Sequence, residues 1–550
     1  MLHVRQRYRD NTNILDTIFT TATGVALITD FMPVEERTLK QHARLHDNPR
    51  LVRIVECLSG RVRLRHVVDP APDYGRRHVT VATRHQHLHA DTGDLHICVR
   101  CTRPLESART SITLHAGEHI AFALRCGLPN RCGPIRWDVE RALDLLRETQ
   151  EFWWQWIGRC RYDGPYRQHV WRSALVLKLM TYSPTGAIVA APTTSLPEWI
   201  GGTRNWDYRF TWLRDASLTL FAFFQLGLRE EAHSYFHWLS THHRRTPHMT
   251  GLPNLFDLDG HARVPEWELR HLTGYKHSQP VRVGNDAAHQ LQLDVYGEVL
   301  DSAYLYARFG GDISGELWNR LHAIVELAIE RWRENDACIW EVRDNELPYT
   351  YSKMMCWVAV DRGLRMAQRF GYPHDSARWQ KARRAMHRAV VTEGWSKRRN
   401  AFAQYFGGNT LDAAMLRLSQ VRFLPDRDPR VVSTIKAIDE DLSEGVLVRR
   451  YRTEETNDGV GGDEGAFFMT SFWLPDALAH TGDVEGAQRR FERLLSFSSP
   501  VGLFSEEVDP RSGALLGNYP QAFTHLSLVG AAVNIERARH RQIGVRGLKK

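Results

Sequence analysis

Residues 199 to 217 read WIGGTRNWDYRFTWLRDAS and set Arg204, Arg209 and Arg214 among Trp199, Trp206 and Trp212 and the acids Asp207 and Asp215. Indole faces suit the C–H faces of a sugar ring, and guanidinium and carboxylate groups grip hydroxyls through charge-assisted hydrogen bonds. The same residues also suit a plain structural role. Trp212 and Leu213 could be core, and Arg214 with Asp215 an ion pair in the first turn of a helix, where an acid is favoured. Two other stretches add carboxylates: Glu341 sits beside Trp340 in CIWEVR, and Glu506 and Glu507 follow an apolar run in GLFSEEVD. Apolar surroundings raise a carboxyl pKa. Cleavage of a glycosidic bond needs one carboxylic acid for the leaving oxygen and one carboxylate for water or for carbon. Taken singly, each glutamate fits an exposed or ion-paired surface group better than a catalytic one.

The elements that must position these groups change character along the chain. Residues 1 to about 135 alternate at period two, as in RVRLRHVV from Arg61 and SITLH from Ser111, with glycine and proline between the runs. This reads as a β-sandwich. From Trp137 onward the apolar period is helical, and helices are expected at 138–160, 166–182, 211–227, 229–243, 286–309, 313–334, 349–370, 376–393, 463–480, 484–496 and 521–539. Polar, glycine-containing stretches at 244–285, 335–348, 439–462 and 498–520 separate some of them, and loops of that length are usually functional. A closed ring of helical hairpins, an (α/α) toroid, would bring such loops to one central pocket. A helical bundle or solenoid is the alternative, and the absence of a repeating period counts against the solenoid.

Composition excludes several classes. The chain of 550 residues is 43% hydrophobic, which is ordinary for a folded protein, and no low-complexity run interrupts it. The start, MLHVRQRYRDNTN, lacks a basic segment followed by an apolar one, and no run of about eighteen apolar residues occurs, so a cytoplasmic protein without membrane attachment is expected. The 72 basic and 64 acidic residues leave a net charge of +8, thinly spread and without a nucleic-acid motif. Cys98 and Cys101 form a C-x-x-C, but in a strand residues three apart point to opposite faces, and Cys126 with Cys132 lacks zinc-ribbon spacing; no metal is expected. The eight cysteines form no disulfide framework.

Several segments together resemble glycoside hydrolase family 15, the glucoamylase, glucodextranase and trehalase-like enzymes. They are GGTRNWDYRFTWLRDA from Gly201, VRVGNDAAHQLQLDVYGEVLD from Val281, IWEVR from Ile339, TYSKMMCW from Thr350, VRRYRTEETNDGVGGDEGAFFMTSFWL from Val448 and GLFSEEVDPRSGALLGNYPQAFTHLSL from Gly502. The resemblance implies an N-terminal β-supersandwich, here 1–136, an (α/α)6 barrel, here 137–540, and a basic tail at 541–550. It also implies single-step inversion with Glu341 as general acid and Glu506 as general base, Glu507 being the rival beside it. Trp212 would be a wall of the terminal-sugar subsite, with Trp340 beside the acid. Arg214, Asp215 and Arg450 would clamp its hydroxyls, and Glu507 would touch substrate if it is not the base. Arg204, Asn205 and Asp207 would brace the loop, while Tyr296, Glu298 and Trp357 pack the barrel.

Two departures qualify the resemblance. The chain begins close to Thr23-Gly24-Val25, where relatives carry further strands, which implies a truncated supersandwich. After Glu341, the stretch Arg343-Asp344-Asn345-Glu346-Leu347-Pro348-Tyr349 differs from the expected pattern and leaves the leaving-group subsite open. The expected activity is hydrolysis of an α-glucoside from its non-reducing end, with trehalose narrowly ahead of maltodextrins. A carbohydrate-binding protein with a dead site would lack the acid or the base, and a phosphate-using transferase would need an anion loop that is missing. No cofactor is expected, the partner is a small carbohydrate, and a homo-oligomer is left open.

Overall fold

The computed structural model describes residues 2–34, 50–127, 137–242 and 252–547. The chain divides into two compact units, Met1–Arg159 and Cys160–Lys550.

The first unit is an antiparallel sheet built from β1 (His3–Tyr8), β2 (Leu15–Thr20), β3 (Gly24–Phe31), β4 (Arg50–Val67), β5 (Ala82–Arg84), β6 (His87–Asp91), β7 (His96–Cys101), β8 (Arg109–His115) and β9 (His119–Gly127). The main path runs β1-β2-β3-β4-β9-β7-β6-β5. β4 is long enough to serve two layers: Arg50–Glu56 pair with β9, and Arg61–Val67 pair with β8. Period-two patterning decides what lies between them, since Ile112 and Leu114 of β8 turn inward while their neighbours are exposed. They join Val55, Val62, Leu88 and Ile120 in one apolar core. Cys98 and Cys101 lie in β7 and are buried, whereas Cys132 lies outside the described residues.

Helix α1 (Val139–Ile157) starts where Asp138 accepts from the Arg141 amide at 2.9 Å. It belongs to the first compact unit, which ends at Arg159. Two hydrogen bonds explain why: the Val34 amide donates to Thr149 Oγ1 at 3.2 Å and Trp154 Nε1 donates to the Asp10 carbonyl at 3.1 Å.

The second unit contains α2 (Arg167–Met180), α3 (Leu213–Leu226), α4 (Glu230–His242), α5 (Asp294–Arg308), α6 (Gly315–Arg331), α7 (Thr350–Phe370), α8 (Ser376–Glu393), α9 (Pro429–Leu442), α10 (Phe468–Thr481), α11 (Val484–Leu495) and α12 (Ala522–Gly547), with a 3-10 turn at Ala413–Leu418. Helices α3, α5 and α7 pack in succession, the 3-10 turn packs on α10, α10 on α12, and α12 back on α3. Between α7 and the 3-10 turn the link is polar: Arg417 bonds both Tyr351 of α7 and Glu298 of α5. This closes an inner ring of six segments. The others lie outside, α2 against α12, α4 against α3, α6 and α8 against α7, α9 against the 3-10 turn and α11 against α10. Sequence and position agree, because α7 is buried over most of its length, whereas α8 buries only Trp379, Met386, Ala389 and Val390. The expected (α/α)6 arrangement is therefore present.

Most expected helices lie within a few residues of their predicted limits, and two differences have physical causes. Residues 286–293 do not continue α5 backward, because Asn285 caps a separate 3-10 turn at Asp286–His289. Helix α9 was not anticipated, although Asp428 accepts from the Arg430 amide and Pro429 occupies the first turn, a standard start signal. The tail expected at 541–550 is helical as far as Gly547, as part of α12, and 548–550 lie outside the described residues.

Candidate active site

The chemistry-bearing residues gather where inner segments begin. Arg214 and Asp215 stand in the first turn of α3, Glu341 precedes α7, Met469 opens α10 and Phe523 opens α12. A cavity of about 510 Å³, part of it open, is walled by Trp212, Arg214, Asp215, Trp340, Glu341, Arg450 and Glu506. Helix N-termini carry partial positive charge, so this end of the ring favours carboxylates and electron-rich hydroxyls.

Each wall has a local cause. Thr211–Trp212 pair with Leu255–Phe256, which fixes the indole just ahead of α3. Glu341 lies on a tight loop in which its own amide donates to the Cys338 carbonyl and the Val342 amide to that of Ala337. The loop puts Glu341 at φ 60° and Cys338 at φ 54°, a conformation that non-glycine residues adopt only when the surroundings impose it. Asp336 imposes it, taking the Leu293 and Cys338 amides and the Ser352 hydroxyl on one oxygen. Arg450 and Glu506 lie just outside strands of a small sheet of Ser443–Glu444, Leu447–Val448, Ala466–Phe467, Glu507–Val508 and Leu515–Leu516.

The two glutamates proposed for catalysis meet different surroundings. Glu341 keeps 21% of its side chain exposed, and its Oε1 accepts from Trp212 Nε1 at 2.7 Å and Arg214 Nη2 at 3.0 Å. With Oε1 occupied by two donors, Oε2 is the oxygen available to carry a proton. Glu506 is buried; Tyr208 donates to its Oε1 at 2.7 Å, and its Oε2 has no partner. Burial pushes its pKa well up, and the charge of Glu198 adds to this. Gly517 (φ 72°) lies against it, and a Cβ there would come within 2.7 Å of the Glu506 Cβ and 2.6 Å of Oε2.

Glu507 is not where it was expected. In an extended segment neighbours face opposite ways, so Glu507 turns from the cavity and accepts from the Gly465 amide at 2.7 Å. It lies with Glu198 and Glu464, with a carboxylate oxygen of each within 4.8 Å of the others. This trio is the one group among the described residues with metal-ligand spacing, yet Arg450 already occupies both oxygens of Glu464. One oxygen each on Glu198 and Glu507 remains unpartnered. Burial raises the pKa of Glu198 to about 7 and that of Glu507 well above the usual carboxylate range.

Asp215 is buried in the cavity wall. Its Oδ2 lacks a hydrogen bond and stands 3.4 Å from Arg214 Nη2, and burial raises its pKa to about 7. Arg214 also donates to Gln292 Oε1 at 3.1 Å and faces Asp294 at 4.0 Å. Burial works against its charge, but Asp215, Glu341 and Asp294 outweigh burial and hold its pKa above the usual range. Trp340 donates to Asp412 at 2.9 Å. Arg204 pairs with Asp458 at 2.8 Å, Asn205 Nδ2 donates to the Gly202 and Pro280 carbonyls, and Asp207 receives Arg209 and the Gly284 amide, which places all three as braces of the loop. Tyr296 and Glu298 lie away from the cavity in α5, and Trp357 in α7.

Sequence reasoning missed Tyr208, Gln292, Asp294, Asp412 and Glu198. Tyr208 lay inside the quoted opening stretch, but nothing local in the chain connects it with Glu506, 298 residues away.

Comparison with known proteins agrees with this geometry. The profile described as Glycosyl hydrolases family 15 matches residues 164–533. A trehalase of Mycobacterium tuberculosis (strain ATCC 25618 / H37Rv) is 40% identical over 97% of this chain and 81% of its own. A trehalase of Thermoplasma acidophilum (strain ATCC 25905 / DSM 1728 / JCM 9062 / NBRC 15155 / AMRC-C165) is 34% identical over 98% of this chain and 91% of its own. Among solved structures, a bacterial glucoamylase complexed with acarbose superposes with a TM-score of 0.71 at 12% identity, over 97% of this chain and 85% of that one, which is a likeness of fold. With the profile spanning most of the helical unit and relatives aligning along nearly the whole length, the chain is a glycoside hydrolase and belongs to Glycosyl hydrolases family 15.

Proposed function

We propose that the protein hydrolyses α,α-trehalose to two glucose molecules by single displacement with inversion. Glu341 acts as general acid and Glu506 as general base. The observation that carries this reading is that Glu341 lines two adjoining compartments, the cavity described above and a second of about 430 Å³, while Glu506 lines only the first. An acid between two adjoining spaces is placed to protonate a bridging oxygen, and a base that lines only one of them is placed to activate the attacking water. The trehalase relatives support the choice of substrate.

In this reading one glucose occupies the first compartment against Trp212 and Trp340, with its hydroxyls held by Arg214, Asp215 and Arg450. Glu506 takes a proton from water as its oxygen bonds to the anomeric carbon from the β face. Glu341 gives its proton to the bridging oxygen as that bond breaks. The attacked ring leaves as β-glucose, and the other departs as α-glucose with its own anomeric centre untouched. The two carboxyl groups stand about 6.5–9.5 Å apart in this mechanism, to leave room for the water. The protein acts on carbohydrate, and no described helix is long and apolar enough to cross a membrane. Cys57, Cys101, Cys160, Cys338 and Cys356 are free thiols, which supports a cytoplasmic setting.

The test is glucose release from trehalose, maltose, isomaltose and maltotriose side by side, with proton NMR during early turnover. Trehalose should be the best substrate and should yield α- and β-glucose in equal initial amounts. Two equivalents of α-glucose would indicate retention and refute the assignment of Glu506.

A further inference from the structure

We infer that the second compartment is a closed subsite for one leaving sugar ring, with Arg343 as its specificity-determining group; this rests on the proposed function. The two compartments share Tyr208, Trp340, Glu341 and Arg450 but differ in chemistry. The first offers apolar walls, including Trp212, Ile339 and Phe523. The second is lined mostly by groups that bind hydroxyls, among them Glu198, Arg204, Asn285, Arg343 and Asp458. A ring held there is held through its hydroxyls, and a leaving group without hydroxyls gains little.

Arg343 is pre-set for that task. Its Nη1 and Nη2 donate to the two oxygens of Glu266 at 3.1 and 2.8 Å, and its guanidinium lies 4.4 Å from the centre of the Trp206 ring. Arg282 lies near the same indole at 4.6 Å and pairs with the same Glu266 at 3.2 Å. Trp206 in turn donates to Glu198 at 2.7 Å. A planar guanidinium anchored on two atoms and stacked on an indole loses little freedom when a hydroxyl binds its remaining edge. Its side chain keeps 25% exposure, so that edge is reachable.

The segment 457–461 forms a wall of this compartment and is tied down on two sides. The Arg343 amide donates to the Asp458 carbonyl at 2.9 Å, Asn345 Nδ2 to that of Asn457 at 3.4 Å, and Arg204 Nη2 to that of Val460 at 2.9 Å. Gly459 (φ 75°) sits so close that a Cβ would meet the Asp344 amide nitrogen at 2.7 Å. A wall bonded to both Arg343 and Arg204 bounds the compartment firmly on that side, which is the ground for reading it as closed beyond one ring. The stretch after the acid, whose sequence left the leaving-group subsite open, is thus the part that builds it.

The experiment compares wild type with Arg343→Met and Arg343→Lys on trehalose, maltose, maltotriose, methyl α-glucoside and α-glucosyl fluoride. The last two lack a second ring, and methyl α-glucoside still needs the acid. For Arg343→Met, kcat/KM on the disaccharide should fall at least tenfold more than on either single-ring substrate, and Arg343→Lys should recover part of the loss. An equal fall on methyl α-glucoside would mean that Arg343 acts through Glu341, and no fall on the disaccharide would remove it from the subsite; either overturns the inference. Wild type supplies a measurement independent of how the variants fold: maltotriose should be cut at least tenfold less efficiently than the better disaccharide, and equal rates would overturn the closed wall. If trehalose is inert while maltose is cut, the proposed substrate fails, and the Arg343 comparison on maltose still decides the subsite.

Discussion

Asp215→Asn separates a role in the sugar site from a role in the fold. Asp215 is buried in α3, its Oδ2 has no hydrogen bond, and its pKa is about 7 in the folded protein against 3.8 when unperturbed. That change already contains the attraction of Arg214, 3.4 Å away. At 1.36 kcal/mol per pKa unit it corresponds to about 4 kcal/mol by which the ionised carboxylate disfavours folding above pH 7. Between pH 3.8 and about 7 the unfolded chain has released this proton and the folded one retains it, so stability falls as pH rises through that window and levels off above it. Asparagine keeps the size and removes the charge, while Glu341 and Asp294 still face Arg214 at 3.0 and 4.0 Å. Asp215→Asn should therefore melt at an equal or higher temperature than wild type at pH 8, by up to several degrees, with the difference vanishing near pH 4. Activity should move the other way. A charged acceptor for glucose hydroxyls contributes roughly 1.5–3 kcal/mol, so kcat/KM should fall by about ten- to a hundredfold. Calorimetry across pH 4 to 8 with steady-state kinetics at pH 7 measures both. A clearly lower melting temperature with unchanged kcat/KM would make Asp215 a structural partner of Arg214 and refute the reasoning.

Glu341→Gln and Glu506→Gln should each lower kcat by roughly two to four orders of magnitude with folding spared, whereas Glu507→Gln should keep measurable turnover; a dead Glu507→Gln beside an active Glu506→Gln would reverse the assignment of the base. Tyr208→Phe removes the 2.7 Å hydrogen bond to Glu506 and should cost about tenfold or more in kcat, read from saturating steady-state rates. Gly517→Ala should push on the Glu506 side chain and force a left-handed alanine, so both kcat and the melting temperature should drop; a fully active, equally stable variant would show that Glu506 is not held there. Arg417→Met leaves Glu298 buried without its guanidinium and should destabilise by about 3–5 kcal/mol in denaturant titration while any folded fraction stays active.

Much of this protein is written in local patterns. Period-two runs such as β8 and three-to-four spacing such as α8 or α11 depend only on which face must leave water, and that is visible in consecutive residues. Where a local signal competed, reading failed locally, as at Asn285, which caps a separate 3-10 turn that ends at an extended Gln290 before α5 begins. Trp212, Arg214, Asp215, Trp340, Glu341, Arg450 and Glu506 could be named from the sequence because each sits in a segment that resembles glycoside hydrolase family 15; the density of aromatic and charged residues alone left a structural role open. Their meeting could not be derived from spacing, since closing the inner ring brings Arg214 to within 3.0 Å of Glu341 across 127 residues. The difference between Glu506 and Glu507 also belongs to the tertiary structure. The two are chemically identical neighbours, and only the register of Phe467 against Glu507 in the small sheet sends one carboxylate into the cavity and the other into the cluster with Glu198 and Glu464. Composition sets what a segment can bury, but which charges face one another is decided by contacts distant in sequence, because electrostatics acts through space and not along the chain.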